Sequence, residues 1–448
     1  MTKFRLVAPF MIIMLVLTAC PAGEDDGGGG ASVAPGGSGE PASSGAAGGG
    51  EGDGIVVTSL WGGAEQEAFE AVLAAFEEET GIPATYEANR TDYATVLRTR
   101  IQGGNPPDVA IIPGIGFLRS FAREGSLIPL SDLGIERDAI EGNYPPGILD
   151  VGVVDDELYG LMVKLNSKAT IWYDPSRFEE MGVEPVESFE DLQTLTEDIK
   201  AAGGTPWSIG AGDSWTLTDW FEITYLKMHG PEAYDTLFSP EGDWTDPTVQ
   251  ETIDLIFGEL LTEENVAGGI DGATATLFVD AIGQVFSTSP SAELYYGGGF
   301  VGGIAASEDV NPDLEYGTDM DWFPYPTVNG NGEGLITYGG DVMAALNDTE
   351  EVGQFMEFMA SPEAGQVWAE GGTIISPLID VDPGVYPEAV QAEAEQVTSA
   401  EAVRFDGSDL LPAGPDLGAL LQSAFRGEDT GPLLEEFQAA VTTAWEEE

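Results

Sequence analysis

The apolar positions of this chain change period repeatedly, from runs of strand length to helical spacing and back. Residues 55–60 form a short apolar run closed by Gly62-Gly63. Over residues 64–79, Phe69, Val72, Leu73 and Phe76 recur at helical spacing until Gly81 stops them. A strand over 83–86, a helix over 92–102 ended by Gly103-Gly104, a strand over 108–112 and a helix over 116–123 follow. A second series opens after Gly160 with a strand over 169–173. Next comes a helix over 188–201, whose Ser188 and Asp191 resemble a capping box, and a strand over 207–209. Helices over 219–228 and 247–261 and a strand over 284–287 complete that series. The C-terminal part reads as helical over 350–359, 362–370, 386–397 and 431–445. Strand–helix–strand order with short loops predicts an α/β fold with a largely parallel sheet. No internal repeat and no long linker separate the two series, so two intimately connected lobes are expected.

Nothing periodic precedes residue 55. Lys3 and Arg5 begin a basic segment, residues 6–17 are apolar, and Leu17-Thr18-Ala19 brings small residues up to Cys20, the chain's one cysteine. This is the pattern of a signal peptide over 1–19. It looks like a bacterial lipobox, in which Cys20 becomes the lipidated first residue of the exported protein. The apolar run is too short to span ~30 Å of hydrocarbon. Of the 34 residues from Pro21 to Gly54, 14 are glycine. The stretch 20–54 therefore reads as an anchor and flexible tether with a reach of about 30–35 Å. The expected location is the outer face of the cytoplasmic membrane, held by the lipid alone.

Composition narrows the chemistry. Seventy-nine Asp and Glu oppose 15 Lys and Arg, a net charge of −64. Nucleic acid is excluded as a partner, because it requires a basic stripe. One cysteine and one histidine leave no intrachain disulfide and no common zinc site, so neither metal nor cofactor is expected. No nucleophile elbow, zinc helix or phosphate loop is visible, so no catalytic residue is assigned. Among so many acids some carboxylate pairs are inevitable, and a secreted carbohydrate-active enzyme stays open as an alternative. For an exported module the acidity suits a saline or alkaline medium.

The segments Gly103-Gly104-Asn105-Pro106-Pro107-Asp108-Val109, Glu124 to Leu130, Lys168 to Asp174, Thr218 to Glu222 and Gly230 to Asp235 carry a resemblance. Gly339-Gly340-Asp341-Val342, Ser361-Pro362-Glu363-Ala364 and Arg404 to Pro412 continue it. In this order they resemble the extracellular solute-binding proteins of carbohydrate ABC importers, the maltose-binding-protein-like group, and within it the α-glucoside-type branch. The likeness spans nearly the whole module from Ile55. It implies a two-lobed periplasmic-binding-protein-like fold with a three-segment hinge and an interlobe ligand cleft. Crossings are expected near 162–167, 321–326 and 371–376. The N-lobe would then hold 55–163 and 327–371, and the C-lobe 164–326 and 372–448. The implied partners are a neutral sugar, a glucoside-containing di- or oligosaccharide, and the membrane permease subunits of an importer. The protein is expected to work as a monomer. Another neutral solute, a polyol or a peptide, is the alternative ligand.

A sugar presents apolar C–H faces to aromatic rings and a rim of hydroxyls to carboxylates and amides. Trp61, Gly63, Glu65 and Gln66 follow the first strand, where α/β sheets present ligand sites. Trp215, Asp219 and Trp220 surround a helix entry, and Tyr295 and Phe300 flank three glycines. Asp341, Asp406 and Asp409 are the candidate hydroxyl acceptors from the later segments. Lys164 and Asn166 are candidate donors at the first crossing. Lys168 stands beside them, and neutralising nearby acids explains these lysines equally well. Val342 stands where the family often has tryptophan, which removes one expected stacking contact. Six Lys or Arg lie from Arg90 to Arg137 and none from Met228 to Val403. Anionic ligands are therefore disfavoured, and the arginine cluster, Arg98 and Arg123 included, is a candidate face for the permease.

Overall fold

The structure is a computed structural model that describes residues 54–89, 93–145 and 148–447. The signal peptide, Cys20 and the tether through residue 53 lie outside the described residues, as does Asp92 at the expected start of the second helix.

Twelve strands appear among the described residues. In chain order they are β1 (Ile55–Ser59), β2 (Ala84–Ala88), β3 (Val109–Ile112), β4 (Val153–Val154), β5 (Glu157–Leu158) and β6 (Gly160–Ser167). Then come β7 (Thr170–Tyr173), β8 (Trp207–Ser208), β9 (Leu294–Gly297), β10 (Asp321–Pro324), β11 (Leu335–Ala345) and β12 (Ala402–Phe405). One sheet runs β12-β11-β3-β1-β2 with β6 also paired to β11. A second runs β10-β7-β9-β8, and β4 and β5 pair alone. The parallel strands β1, β2 and β3 fit the alternating strand–helix reading. The sheets as a whole are mixed, because β11 returns antiparallel to both β3 and β6, and β7 lies antiparallel to β9 and β10.

Each sheet buries both faces, as α/β layering requires. Val57, Phe69, Val109 and Trp368 fill one side of the first sheet, and Ala110, Leu118, Phe121 and Val342 the other. In the second sheet Ile171 and Tyr296 face a core with Trp207, Trp220 and Phe221. Their neighbours Trp172 and Tyr295 face a smaller one with Ile282 and Val301. Period-two alternation along β7 and β9 makes that division.

The sequence-predicted helices recur with small shifts: Ala64–Thr80, Ile115–Arg123, Phe189–Ala202, Glu350–Met359, Pro362–Glu370 and Glu388–Ser399. Ser188 caps its helix as expected, accepting from Asp191 N at 3.1 Å. The strand expected at 284–287 is instead the end of the helix Phe278–Phe286, with Ala281, Ile282, Val285 and Phe286 buried at helical spacing. The helix expected at 219–228 begins one turn earlier and extends over Trp215–Leu237. It bends at Gly230, whose φ of 82° stands just before Pro231. The expected crossing at 162–167 is the strand β6, and 321–324 is β10, an antiparallel partner of β7. The long strand β11, a member of the first sheet, packs in both cores. Leu335 and Ile336 pack in the second sheet's core, whereas Met343 and Ala345 pack in the first's. Close by, Leu165 and Ile375 exchange backbone hydrogen bonds of 2.9 and 2.7 Å.

Candidate ligand-binding cleft

Beside β6 and β11, where the first sheet approaches the second, a cavity of about 280 Å³ opens. Leu60, Trp61 and Pro113 enter it from just beyond the carboxyl ends of β1 and β3, the ends at which parallel strands deliver ligand contacts. Lys164, Asn166 and Lys168 come from the β6 segment, and Gly339, Gly340 and Asp341 from β11. Trp215, Thr218, Asp219, Phe278 and Phe300 come from the second sheet's helices, and Asp406, Ser408 and Asp409 from the turn after β12. A roomier surface depression beside Met228 and Gln250 has no aromatic lining, and another beside Glu232 and Thr248 has a single ring, Tyr225.

A β-bulge sets this lining. The pairing of β6 with β11 slips between Asp341 and Val342, so that Lys164 stands opposite Asp341 and Met162 opposite Val342. Met162 and Leu165 consequently share one core, and Lys164 and Asn166 turn to the other face and the cavity. Lys164 is ion-paired with Glu65 and lies 3.9 Å from Asp341, whose Oδ2 accepts from Trp61 Nε1 at 3.1 Å. Burial raises the Asp341 carboxyl above its ordinary range, and Lys164 opposes the shift.

The opposite wall is aromatic. Trp215 is 36% exposed. Its ring centroid is 5.4 Å from Phe278 and 6.0 Å from Phe300, in edge-to-face arrangements, and the rest of the ring borders the cavity. Lys168 Nζ lies 4.9 Å from the Trp215 centroid and donates at 2.9 Å to both Asp219 oxygens. Asp406 Oδ2 is 3.3 Å away. Burial alone would lower the Lys168 ammonium, but Asp219 and Asp406 outweigh it and hold its pKa above the ordinary value. Burial pushes Asp219 up to about 7 despite Lys168, with Asp406 adding to the rise. Burial, then Asp406, likewise raises the Asp409 carboxyl.

One turn below Asp219, the fully buried Glu222 fixes the turn after β12. It accepts from Gly407 N at 2.6 Å, Ser408 N at 3.0 Å and the Tyr234 hydroxyl at 2.9 Å. Two segments of one helix, around 218–222 and 230–235, thus meet the distant 404–412 at one network. Glu222 and Tyr234 have no place in the sequence-based site. The signal for Glu222 is its helical spacing from Thr218 and Asp219.

Of the sequence candidates, Trp61, Glu65, Lys164, Asn166, Trp215, Asp219, Phe300, Asp341, Asp406 and Asp409 line the cavity. Trp61 reaches it mainly through its edge, because Tyr86 stacks along one face and Lys164 lies 5.1 Å from the ring. Four candidates stand apart from the lining. Gln66 bonds Glu70 on the exposed helix surface. Gly63 is the turn residue before the first helix, at φ 57°. Trp220 is packed between Trp207, Tyr296 and Tyr325. Tyr295 points into the smaller core, opposite its neighbour Tyr296. Phe278, Thr218, Ser408 and Lys168 join the lining without having been assigned to the site from sequence.

Two α/β sheets with a ring-and-carboxylate cavity at their junction define a two-lobed binding protein. The chain belongs to the bacterial extracellular solute-binding protein family, whose profile matches residues 62–366. It is similar to the osmoprotective compounds-binding protein GgtB of Synechocystis sp., 34% identical over 362 residues, covering 80% of this chain and 84% of that protein. It is also similar to the alpha-glucosides-binding periplasmic protein AglE of Rhizobium meliloti, 30% identical over 383 residues and 82% of each chain. Among solved structures, the bacterial solute receptor AcbH shares the fold with a TM-score of 0.73 at 18% identity, over 89% of this chain and 99% of that one.

Proposed function

We propose that the chain captures a neutral sugar in this cleft, a glucoside-containing di- or oligosaccharide, and delivers it to the membrane subunits of an ABC importer. The partly exposed ring of Trp215, beside carboxylates that are themselves tied to lysines, carries the reading. It offers an apolar platform for C–H faces and both acceptors and donors for hydroxyls, with no free cation to hold an anion. The AglE relative's alpha-glucosides support the sugar class. A cavity of about 280 Å³ lies near the lower limit for small-molecule sites and favours the shorter sugars. A second reading, a small osmoprotective solute such as a polyol, is favoured by the GgtB relative.

In this reading Trp215 and Phe300 stack on the ligand, and Asp341, Asp406, Asp409, Lys164 and Asn166 meet its hydroxyls. The N-lobe comprises about 55–163 with 327–371, and the C-lobe most of the remainder. The lobes hinge where β6, β11 and the backbone near Ile375 run side by side. Cys20 carries the lipid, the tether lets the module work beside the membrane as a monomer, and the acidity fits saline surroundings. Arg98 and Arg123, paired with Glu124 and Asp155 on one surface, belong to the face offered to the permease.

A thermal-shift panel of maltose, trehalose, sucrose, glycerol and short peptides tests the ligand class. A ligand present at 100 times its Kd adds ~2.7 kcal/mol of stability. Stabilisation by a disaccharide without its hydrolysis is expected. Response to glycerol alone moves the assignment to the polyol reading, and cleavage of the sugar overturns the binding-protein reading.

A further inference from the structure

Lys168 is held on every side. Its backbone N–H donates to Thr337 O at 2.8 Å, and its carbonyl accepts from the Tyr296 hydroxyl at 2.6 Å. The turn from β6 to β7 is thereby fixed before the side chain begins. The stem then passes Gly339, where a Cβ would stand 2.7 Å from the lysine Cε. At its end the ammonium meets both oxygens of Asp219 and the near oxygen of Asp406, with Trp215 and Phe300 centroids 4.9 and 5.8 Å away.

Without that ammonium, two aromatic faces would stand beside two buried carboxylates, an arrangement that attracts organic cations. The whole lining carries five carboxylates against two lysines, so the remaining field would favour a cation further. We infer that Lys168 is a specificity-determining residue: its ammonium is the resident occupant of a cation cage, and by filling that cage it directs the cleft to uncharged, hydroxylated ligands. The inference rests on the ligand-capture reading of the cleft. A sugar lying on Trp215 places hydroxyls beside Lys168 and Asp406, whereas a ligand ammonium finds its position taken.

The test compares the intact chain with Lys168→Met and Lys168→Arg by calorimetry. Each is titrated with maltose, and separately with tetramethylammonium chloride against sodium chloride at equal ionic strength. Lys168→Met is expected to lose at least about tenfold in maltose affinity and to gain saturable tetramethylammonium binding, which Trp215→Ala then removes. The parent and Lys168→Arg are expected to show no such binding. A lysine serving only to hold the fold would produce the loss without the gain. Tetramethylammonium binding by the parent overturns the inference, as does a folded Lys168→Met chain without that binding. Should Lys168→Met unfold, its folded fraction is measured in the two salts. Recovery in tetramethylammonium alone supports the inference, and equal behaviour in both overturns it. If the parent binds no neutral solute at all, the proposed function fails, while the ammonium titration still decides the role of Lys168.

Discussion

Two tryptophans on one helix show how function separates residue by residue. Trp215 begins the helix Trp215–Leu237 and shares the cleft-facing stripe with Thr218 and Asp219. Trp220 is five residues on, about 140° around the axis, and only 1% exposed among Trp207, Tyr296 and Tyr325. Trp215→Ala forfeits two edge-to-face ring contacts and is accordingly expected to lose only about 1–2 kcal/mol of folding stability. Its sugar affinity should fall about tenfold, since a lost stacking platform costs on the order of 1 kcal/mol. Trp220→Ala leaves a cavity in the core and is expected to lose about 3–5 kcal/mol of stability. Urea unfolding and calorimetry on the two variants check the contrast; a destabilised Trp215→Ala chain with parental affinity would contradict it. Their place at a helix entry drew attention to both tryptophans in the sequence, and the period of the observed helix distinguishes them. Asp406 and Asp409 were legible because they sit in a distinctive run. Lys168 was seen in sequence but its role was not, because nothing local shows that Asp219, 51 residues on, receives its ammonium.

Whole elements were legible wherever their apolar period was unbroken, as in the helices Ala64–Thr80 and Glu350–Met359. Strands that build the cleft were harder. In β6 and β11 the bulge and the polar side chains aimed at the cavity interrupt the alternation that announces a strand, so periodicity did not mark them, and 162–167 entered only as a crossing implied by the family resemblance. The helix Glu388–Ser399 closes this region. Its Glu393 is 1% exposed and accepts from Ser167 N at 2.6 Å, while Gln396 bonds both the Ser167 hydroxyl and Ala169 O. Gly299 leaves the space for the Glu393 carboxyl, since a Cβ there would overlap it at 1.6 Å. Burial pushes Glu393 from 4.5 up to about 8, against the opposing bond from Ser167 N and the charge of Lys164. The folded chain thus holds this proton more tightly than the unfolded chain. Stability from it is full below the unfolded value and is lost as pH rises through the window between 4.5 and about 8. Glu393→Gln is expected to flatten that slope and to exceed the parent by about 1–3 kcal/mol at the alkaline end, the scale of a buried unmatched polar group. Denaturant titrations across the window at fixed ionic strength measure it; parallel pH profiles for the two chains would remove Glu393 from the account.

At the scale of the molecule, charge acts through a few fixed pairs against a large uncompensated field. Arg98, Arg100, Arg123, Arg137, Arg177, Lys200 and Arg404 all hold acidic partners. With 79 acids to 15 bases, most carboxylates nevertheless have no base to meet. Exposed ion pairs of this kind contribute little individually, so they do not offset the collective repulsion. Screening does. The Debye length contracts from about 10 Å at 0.1 M salt to about 3 Å at 1 M, shorter than the spacing of most surface charges. The folded chain concentrates the charge and gains more from screening than the expanded one. Its melting temperature is therefore expected to rise by at least about 5 °C between dilute buffer and molar sodium chloride, a few kcal/mol for a chain this long. Most of the rise should come below ~0.5 M, where the Debye length changes fastest. The Lys164–Glu65 and Lys168–Asp219 pairs are buried and little screened, so maltose affinity should shift far less than stability over the same range. Melting curves and calorimetry on one salt series separate the two effects. A melting temperature indifferent to salt would show that the acidic surface is already balanced in the fold, and the saline reading would fall with it.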